Sequence, residues 1–411
     1  MRKIVAVLGI VLCVNIAAAQ TAKLGPGVAG DAVSSGAAPV KSCRSIENYG
    51  GSTSSADNGP VLVAALAGSA GVGHCVSFPP GRFTFASAVT FRLPDGGASA
   101  TLTGAGSDVT ELSWPQGGGL TFEFVGQDNS VHVRDLSLTT GTAGGGRALV
   151  LQQSANLGGN PADNALSDVS GVSIRGADSY AVTDYWETGV AIVGVSNVNM
   201  TGLVVTGSGG EAYGSHGQGV VLEGTADNPL VVFNVAGSTF NYLLKGLVYG
   251  NEVEGVTISQ SNFTGDDYGI FVPTGLKGLD QLAVTSSQFN CALAGVYVSS
   301  YTSDTLFSSN LFIVPNTGIG ILLEQGYLYS AVGNAFNGGS ASMTPSGPVG
   351  IEVGATAGGG TITGNLFDNM AAAVVLRKGS TGGNVQSNEY SNDPVTVSNL
   401  GSGNRVGGGS P

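Results

Sequence analysis

Asn310-Leu-Phe312, followed by Gly320-Ile-Leu-Leu323, is one copy of a phrase that recurs through the second half of the chain. An Asn or Ser leads an aromatic residue two positions on, a polar or Gly-rich gap follows, and a short aliphatic or aromatic run closes the unit. The aromatic positions are Phe240, Phe263, Phe289, Phe312, Phe336, Phe367 and Tyr390, separated by steps of 23, 26, 23, 24, 31 and 23 residues. A recurring period in the twenties marks a solenoid whose single coil cannot bury its apolar face alone.

The closing runs are Gly269-Ile-Phe-Val272, Gly295-Val-Tyr-Val298, Gly320-Ile-Leu-Leu323, Gly350-Ile-Glu-Val353 and Ala373-Val-Val-Leu376. They are strand-length, rich in β-branched and aromatic residues, and bounded by Gly, Asn, Ser or Asp. Nothing between them has the apolar spacing of a three-turn helix. The Leu-x-x-Leu-x-Leu phrase of a leucine-rich repeat is absent. What remains is an all-β fold, a parallel β-helix with coils of roughly 23–31 residues. Stacked coils then place Phe over Phe inside, and Asn and Ser side chains bond along the stack at the bends. The 68 glycines are expected to supply the positive-φ conformations of those bends.

The first half follows the same plan with looser spacing. Val131–Leu138, Val169–Ile174 and Val198–Val205 alternate apolar and polar as half-buried strands do. The insertions Thr139–Gly146 and Gln152–Asn164 are rich in Gly, Ala and Asn. Loops of this kind gather on one side of a solenoid and wall a groove, which directs the search for a site to residues 139–275.

At the N-terminus Arg2 and Lys3 precede an apolar run from Ile4 to Val14, and Ala17-Ala-Ala19 precedes Gln20. This is the pattern of a secretory signal peptide over residues 1–19, and the run is too short to anchor in a bilayer. Residues 20–43 read as a flexible lead-in, 44–400 as one β-helix domain and 401–411 as a frayed tail. Without Arg2 and Lys3 the formal net charge falls from −13 to −15. That balance argues against nucleic acid and anionic membrane as partners. A polysaccharide or glycan, best a neutral one, needs no correction for charge. Cys43 and Cys75 flank the first elements and are placed to pair in an oxidising compartment, stabilising the fold by roughly 3–4 kcal/mol. Cys291 follows an interior aromatic and reads as a buried ladder residue. His74, His132 and His216 lack ligand spacing, so no zinc site is expected.

Asp57-Asn-Gly-Pro60 leads into Val61–Ala67, where Pro60 suits a first helical turn and Leu62, Ala65 and Leu66 share a face. Phe78-Pro-Pro-Gly81, Arg82-Phe-Thr-Phe85 and Leu102-Thr-Gly-Ala-Gly106 follow. This order over roughly residues 44–140 resembles the N-terminal part of the pectate lyase superfamily. The resemblance implies the same right-handed β-helix, with residues 44–75 as an N-terminal cap. It also implies a secreted carbohydrate-active protein that cleaves a polysaccharide by hydrolysis or β-elimination. The alternative is a non-catalytic surface or glycan-binding β-helix.

Candidate chemistry begins with Thr264-Gly-Asp-Asp-Tyr268, since paired carboxylates can act as acid and base on a glycosidic bond or hold Ca²⁺. The coil is similar to the Gly-Asp-Asp coil of polygalacturonases, which implies that Asp266 and Asp267 are catalytic. The neighbouring coils depart from that family, with Leu244-Lys-Gly246 before and Leu293-Ala-Gly295 after. His216, in Gly214-Ser-His-Gly217, is the candidate base. Tyr180, Tyr185, Trp186 and Glu187 suit contact with a sugar ring, and Lys245 joins them as a possible substrate-binding cation. No resident cofactor is expected, and Ca²⁺ is the one ion that the Asp pair suggests.

Overall fold

The structure is a computed structural model that describes residues 42–158, 164–179, 182–209, 216–315, 317–339 and 347–407. The expected signal peptide and nearly all of the expected lead-in lie outside the described residues. Among the described residues of the unit that begins at Ser42, helix is confined to α1 (Gly59–Gly68) and two short 3-10 turns. The rest of the regular structure is strand, wound into a parallel β-helix of about 11 turns.

One coil shows how the repeat is built. Val253–Ser259 runs straight, the chain bends at Gln260-Ser261, and Asn262–Val272 continues through a second bend near Gly265. Each segment pairs in parallel with its equivalents one coil before and one coil after. Three stacks of strands result, joined by bends whose residues also stack.

Inside, the aromatic residues form a single column. Phe240, Phe263, Phe289, Phe312, Phe336 and Phe367 are parallel rings with centroids 4.8 Å apart at every step. Tyr390 ends the column at 5.7 Å. The spacing equals the distance between hydrogen-bonded strands, so ring stacking and the backbone ladder share one repeat. Each buried ring contributes roughly 1.5–3 kcal/mol by burial, with about 0.5–1.5 kcal/mol more for each aromatic pair. The glycine that opens each closing run makes room for this column. A Cβ on Gly246, Gly269, Gly295, Gly320 or Gly350 would lie 2.5–2.7 Å from a Phe ring of the next coil.

A polar ladder runs beside the rings. The backbone N–H of Ser287 donates to Asn310 Oδ1 at 2.9 Å, that of Asn310 to Asn334 at 3.0 Å, that of Asn334 to Asn365 at 2.9 Å and that of Asn365 to Asn388 at 2.9 Å. Each Asn amide donates in turn to a backbone carbonyl, as Asn334 does to Phe307 at 2.9 Å. These buried side chains satisfy bend groups that no strand can reach. The glycine expectation needs correction here. The residues before the ladder positions all have positive φ, yet Gln260, Ser286, Ser309 and Ser387 are not glycine. Left-handed backbone costs a non-glycine residue roughly 1–2 kcal/mol, and the ladder bonds of the next residue offset it.

The N-terminal cap is as the sequence predicts. Leu62, Ala65 and Leu66 of α1 are buried against the first coil. Asn58 Nδ2 donates to Thr84 O at 3.0 Å, and Asp57 Oδ1 accepts from Gly59 N at 2.9 Å and Ala86 N at 3.1 Å. The Cys43–Cys75 disulfide joins the entering chain to the first turn. The cap covers apolar rings and strand edges that an open end would expose. At the other end, Arg405–Val406 still pairs with Asn384–Val385, so the stack runs past the expected boundary at residue 400. Among the described residues no helix is long and apolar enough to cross a membrane.

Candidate functional site

The candidate residues lie where each coil bends into the stack that contains Lys245–Tyr249 and the second part of Asn262–Val272. Four bends meet there through the backbone. Gln218 N donates to Glu187 O at 2.9 Å, Leu244 N to Gly217 O at 3.0 Å, and Tyr268 N to Leu244 O at 3.2 Å. Residues 185–187, 216–218, 243–245 and 266–268 are therefore consecutive layers of one wall.

This layering separates the two carboxylates. Asp266 is fully buried and is the register partner of Cys291, itself buried. Its Oδ1 accepts from Leu243 N at 2.8 Å, and Oδ2 has no hydrogen-bond partner. Burial raises its pKa well above the carboxylate range; the neighbouring Asp267 adds to the rise and the Leu243 N–H opposes it. Asp266 belongs to the interior and cannot touch a polymer in solvent, which corrects its expected catalytic role. Nor do the two carboxyls share one solvent-facing site for Ca²⁺, because Asp266 is fully buried and only Asp267 reaches the surface. Among the described residues no group of three or more His, Cys, Asp or Glu is arranged to hold a metal.

Asp267 is half-buried and belongs to the outer surface. Burial raises its pKa, and the charge of His216 pulls it back. His216 is exposed and lies against Tyr185, ring centroids 5.2 Å apart. Asp267, His216 and Tyr185 thus come together from three layers, although 82 residues separate the first from the last. Glu187 is exposed in the same wall. Tyr180 lies outside the described residues.

Trp186 does not belong to the surface. It is 2 % exposed, its ring packs edge-on to Trp114 at 6.0 Å, and its Nε1–H donates to Leu138 O at 3.2 Å. The alternation that turns Tyr185 and Glu187 outward turns Trp186 in, so its expected role as a sugar contact is corrected to a core role. Lys245 packs on a neighbouring aromatic ring. Its Nζ lies 4.0 Å from the centroid of the Phe271 ring, and burial lowers its pKa.

Beyond Lys245 the wall continues into residues that the motif search did not single out as a site. Phe271 stacks on Tyr297 at 5.1 Å, and Tyr268 meets both, at 4.8 and 5.6 Å. All three rings are half-buried on the outer face. Tyr297 is followed in register by Leu322 and then Glu352. Tyr297 Oη donates to Glu324 Oε2 at 3.2 Å, and the Ser299 hydroxyl donates to the same oxygen. Arg377 clamps Glu352 through Nε at 2.7 Å and Nη2 at 2.6 Å. Glu324, Gln325, Glu352, Thr356 and Arg377 line a cavity of about 370 Å³. One signal in the sequence marks some of these residues. Phe271, Tyr297 and Glu352 occupy the third position of the Gly-x-x-x runs, and alternation turns that position outward.

The fold is that of a right-handed parallel β-helix, and solved proteins share it. The surface protein and adhesin PfbA of Streptococcus pneumoniae superposes with a TM-score of 0.62 at 11 % identity, covering 87 % of this chain and 99 % of that one. Tailspike protein 3 of bacteriophage CBA120 gives 0.59 at 13 % identity, over 90 % of this chain and 61 % of the tailspike. The catalytic unit of the GH87 α-1,3-glucanase of Streptomyces thermodiastaticus gives 0.56 at 13 % identity, over 89 % and 68 %. No family profile matches the sequence, and no curated protein matches it. At these identities the likeness concerns the fold.

Proposed function

We propose that this is an exported β-helix protein that binds a polysaccharide along the outer wall and hydrolyses it at Asp267. The observation that carries the proposal is the meeting of Asp267, His216 and Tyr185 at the head of an aromatic strip. Asp267 keeps its proton to higher pH than an ordinary carboxyl because it is half-buried, which suits a general acid. In the reaction Asp267 gives that proton to the glycosidic oxygen as the bond to the anomeric carbon breaks. Water adds its hydroxyl to that carbon, and its remaining proton passes to His216. Tyr185, Glu187 and Lys245 hold the chain on either side. The Cys43–Cys75 disulfide supports the exported setting, as does a surface adhesin among the proteins of the same fold.

A second reading is favoured by the burial of Asp266. Glycoside hydrolysis ordinarily uses two carboxylates flanking the bond, and this bend exposes one of the expected pair. On that reading the wall binds a glycan without cutting it. A polysaccharide panel decides between the two, read for new reducing ends and for the ultraviolet absorbance of unsaturated products. Hydrolysis predicts reducing ends without the absorbance, and a loss of at least about a hundredfold in Asp267→Asn with the melting temperature unchanged. Binding with silence in both channels establishes the second reading and ends the first.

A further inference from the structure

The strip beyond Lys245 has no part in bond cleavage at Asp267, yet it is built as a binding surface. Its first half is aromatic. Tyr268, Phe271 and Tyr297 form a half-buried cluster, and the Phe271 and Tyr297 rings are stacked within 10° of parallel. Its second half is polar, where Glu324, Glu352, Gln325, Thr356 and Arg377 surround the cavity. Phe271, Tyr297, Leu322 and Glu352 are successive register partners, so the strip spans three coil steps, about 14 Å at the usual strand spacing. That is the length of a short oligosaccharide.

The charges along the strip define what it accepts. Glu352 is neutralised by Arg377 at 2.6 Å, whereas Glu324 receives hydrogen bonds from two neutral hydroxyls, those of Tyr297 and Ser299. Lys245 lies against the Phe271 ring at the opposite end. At the cavity two carboxylates, Glu324 and Glu352, face one cation, Arg377, which leaves an excess negative charge there. A sugar acid placed there meets Glu324 without a matching cation. A neutral sugar loses nothing, because its hydroxyls donate to the carboxylate while its C–H face covers the rings.

We propose that the Tyr268–Phe271–Tyr297 cluster and the Glu324 cavity form the specificity subsites of this protein. They take a run of neutral hexose or pentose units and exclude polyuronates. The inference rests on the glycan-binding part of the proposed function and is independent of whether Asp267 cleaves.

Calorimetric titration tests it, with neutral hexasaccharides of glucose, mannose, galactose and xylose set beside hexagalacturonate. At least one neutral hexasaccharide binds the wild type and hexagalacturonate does not. Tyr297→Ala weakens the neutral ligand about tenfold with an unchanged melting temperature. If that variant unfolds, Phe271→Leu supplies the same loss with a smaller change of volume. Glu324→Gln gains measurable affinity for hexagalacturonate. Equal or tighter binding of hexagalacturonate by the wild type overturns the proposal. So does silence towards every neutral hexasaccharide, or undiminished affinity in a folded Tyr297 or Phe271 variant. Asp267→Asn separates the two ideas. Hydrolysis lost with titration unchanged upholds both, while a wild type that binds without cutting removes the cleavage reading alone.

Discussion

The inner and outer columns of the same strands obey opposite rules. Inside, Phe263, Phe289, Phe312, Phe336 and Phe367 repeat one residue coil after coil at 4.8 Å. Outside, the column reads Val248, Phe271, Tyr297, Leu322, Glu352 and Val375, with scarcely a residue repeated. The interior has one solution because each ring must match the ring above and the glycine beneath it. The exterior faces solvent, so each coil presents its own side chain. Repetition in a solenoid therefore reports packing, and departures from repetition on the outer face report where chemistry is placed.

The sharpest way to break this comparison is in the inner column. Phe289→Ala removes a ring from the middle of the stack and should cost about 3–5 kcal/mol. A urea titration measures this, and a cost below 1 kcal/mol would mean that the column is not a continuous core. Asn334→Ala should come next, with about 1–3 kcal/mol in all. The variant removes the partner of Asn310 N and of the Phe307 carbonyl, while Asn310 Nδ2 keeps its bond to Val284 O. Tyr297→Ala, in the outer column, should cost under about 1 kcal/mol while abolishing most of the glycan affinity. If its stability cost equalled that of Phe289→Ala, the division between packing and binding would be wrong.

Asp266 offers a subtler test, since it is an outer-type residue held in the interior. Its folded pKa is raised by burial above the unfolded value near 3.9. The group therefore favours the folded state most below pH 4, and that contribution declines as pH rises towards the folded pKa. Asp266→Asn keeps an acceptor for Leu243 N and removes the titration. Its denaturation midpoint should vary less between pH 4 and pH 8 than that of the wild type. Parallel profiles for the two proteins would show that the carboxyl does not titrate from within the core.

The repeat made the fold legible, because residues equivalent in each coil share one environment and reveal it by their identity. The phrase from Ser238 to Tyr390 gave the ladders, the bends and the interior in correct register, and the Asp57–Ala67 stretch gave the cap. Asp266 and Trp186 misled for one reason. Each stands beside a residue that does face outward, and the strand or bend geometry that turns one side chain out turns its neighbour in. The Glu324 cavity escaped notice for the opposite reason. Its members, Glu324, Glu352 and Arg377, come from three coils and share no phrase.

The sequence by itself determined the solenoid, its period and the residues that stack within it, since periodicity is a one-dimensional property that survives in the chain order. Only the tertiary structure decided which of two adjacent aspartates meets solvent. It alone brought Tyr185, His216 and Asp267 into one wall and aligned Phe271, Tyr297 and Glu352 into one strip. The physical reason is winding. A coil converts separations of 23 to 31 residues into a single strand spacing, and the face that a side chain takes at a bend depends on backbone geometry that residue identity does not specify.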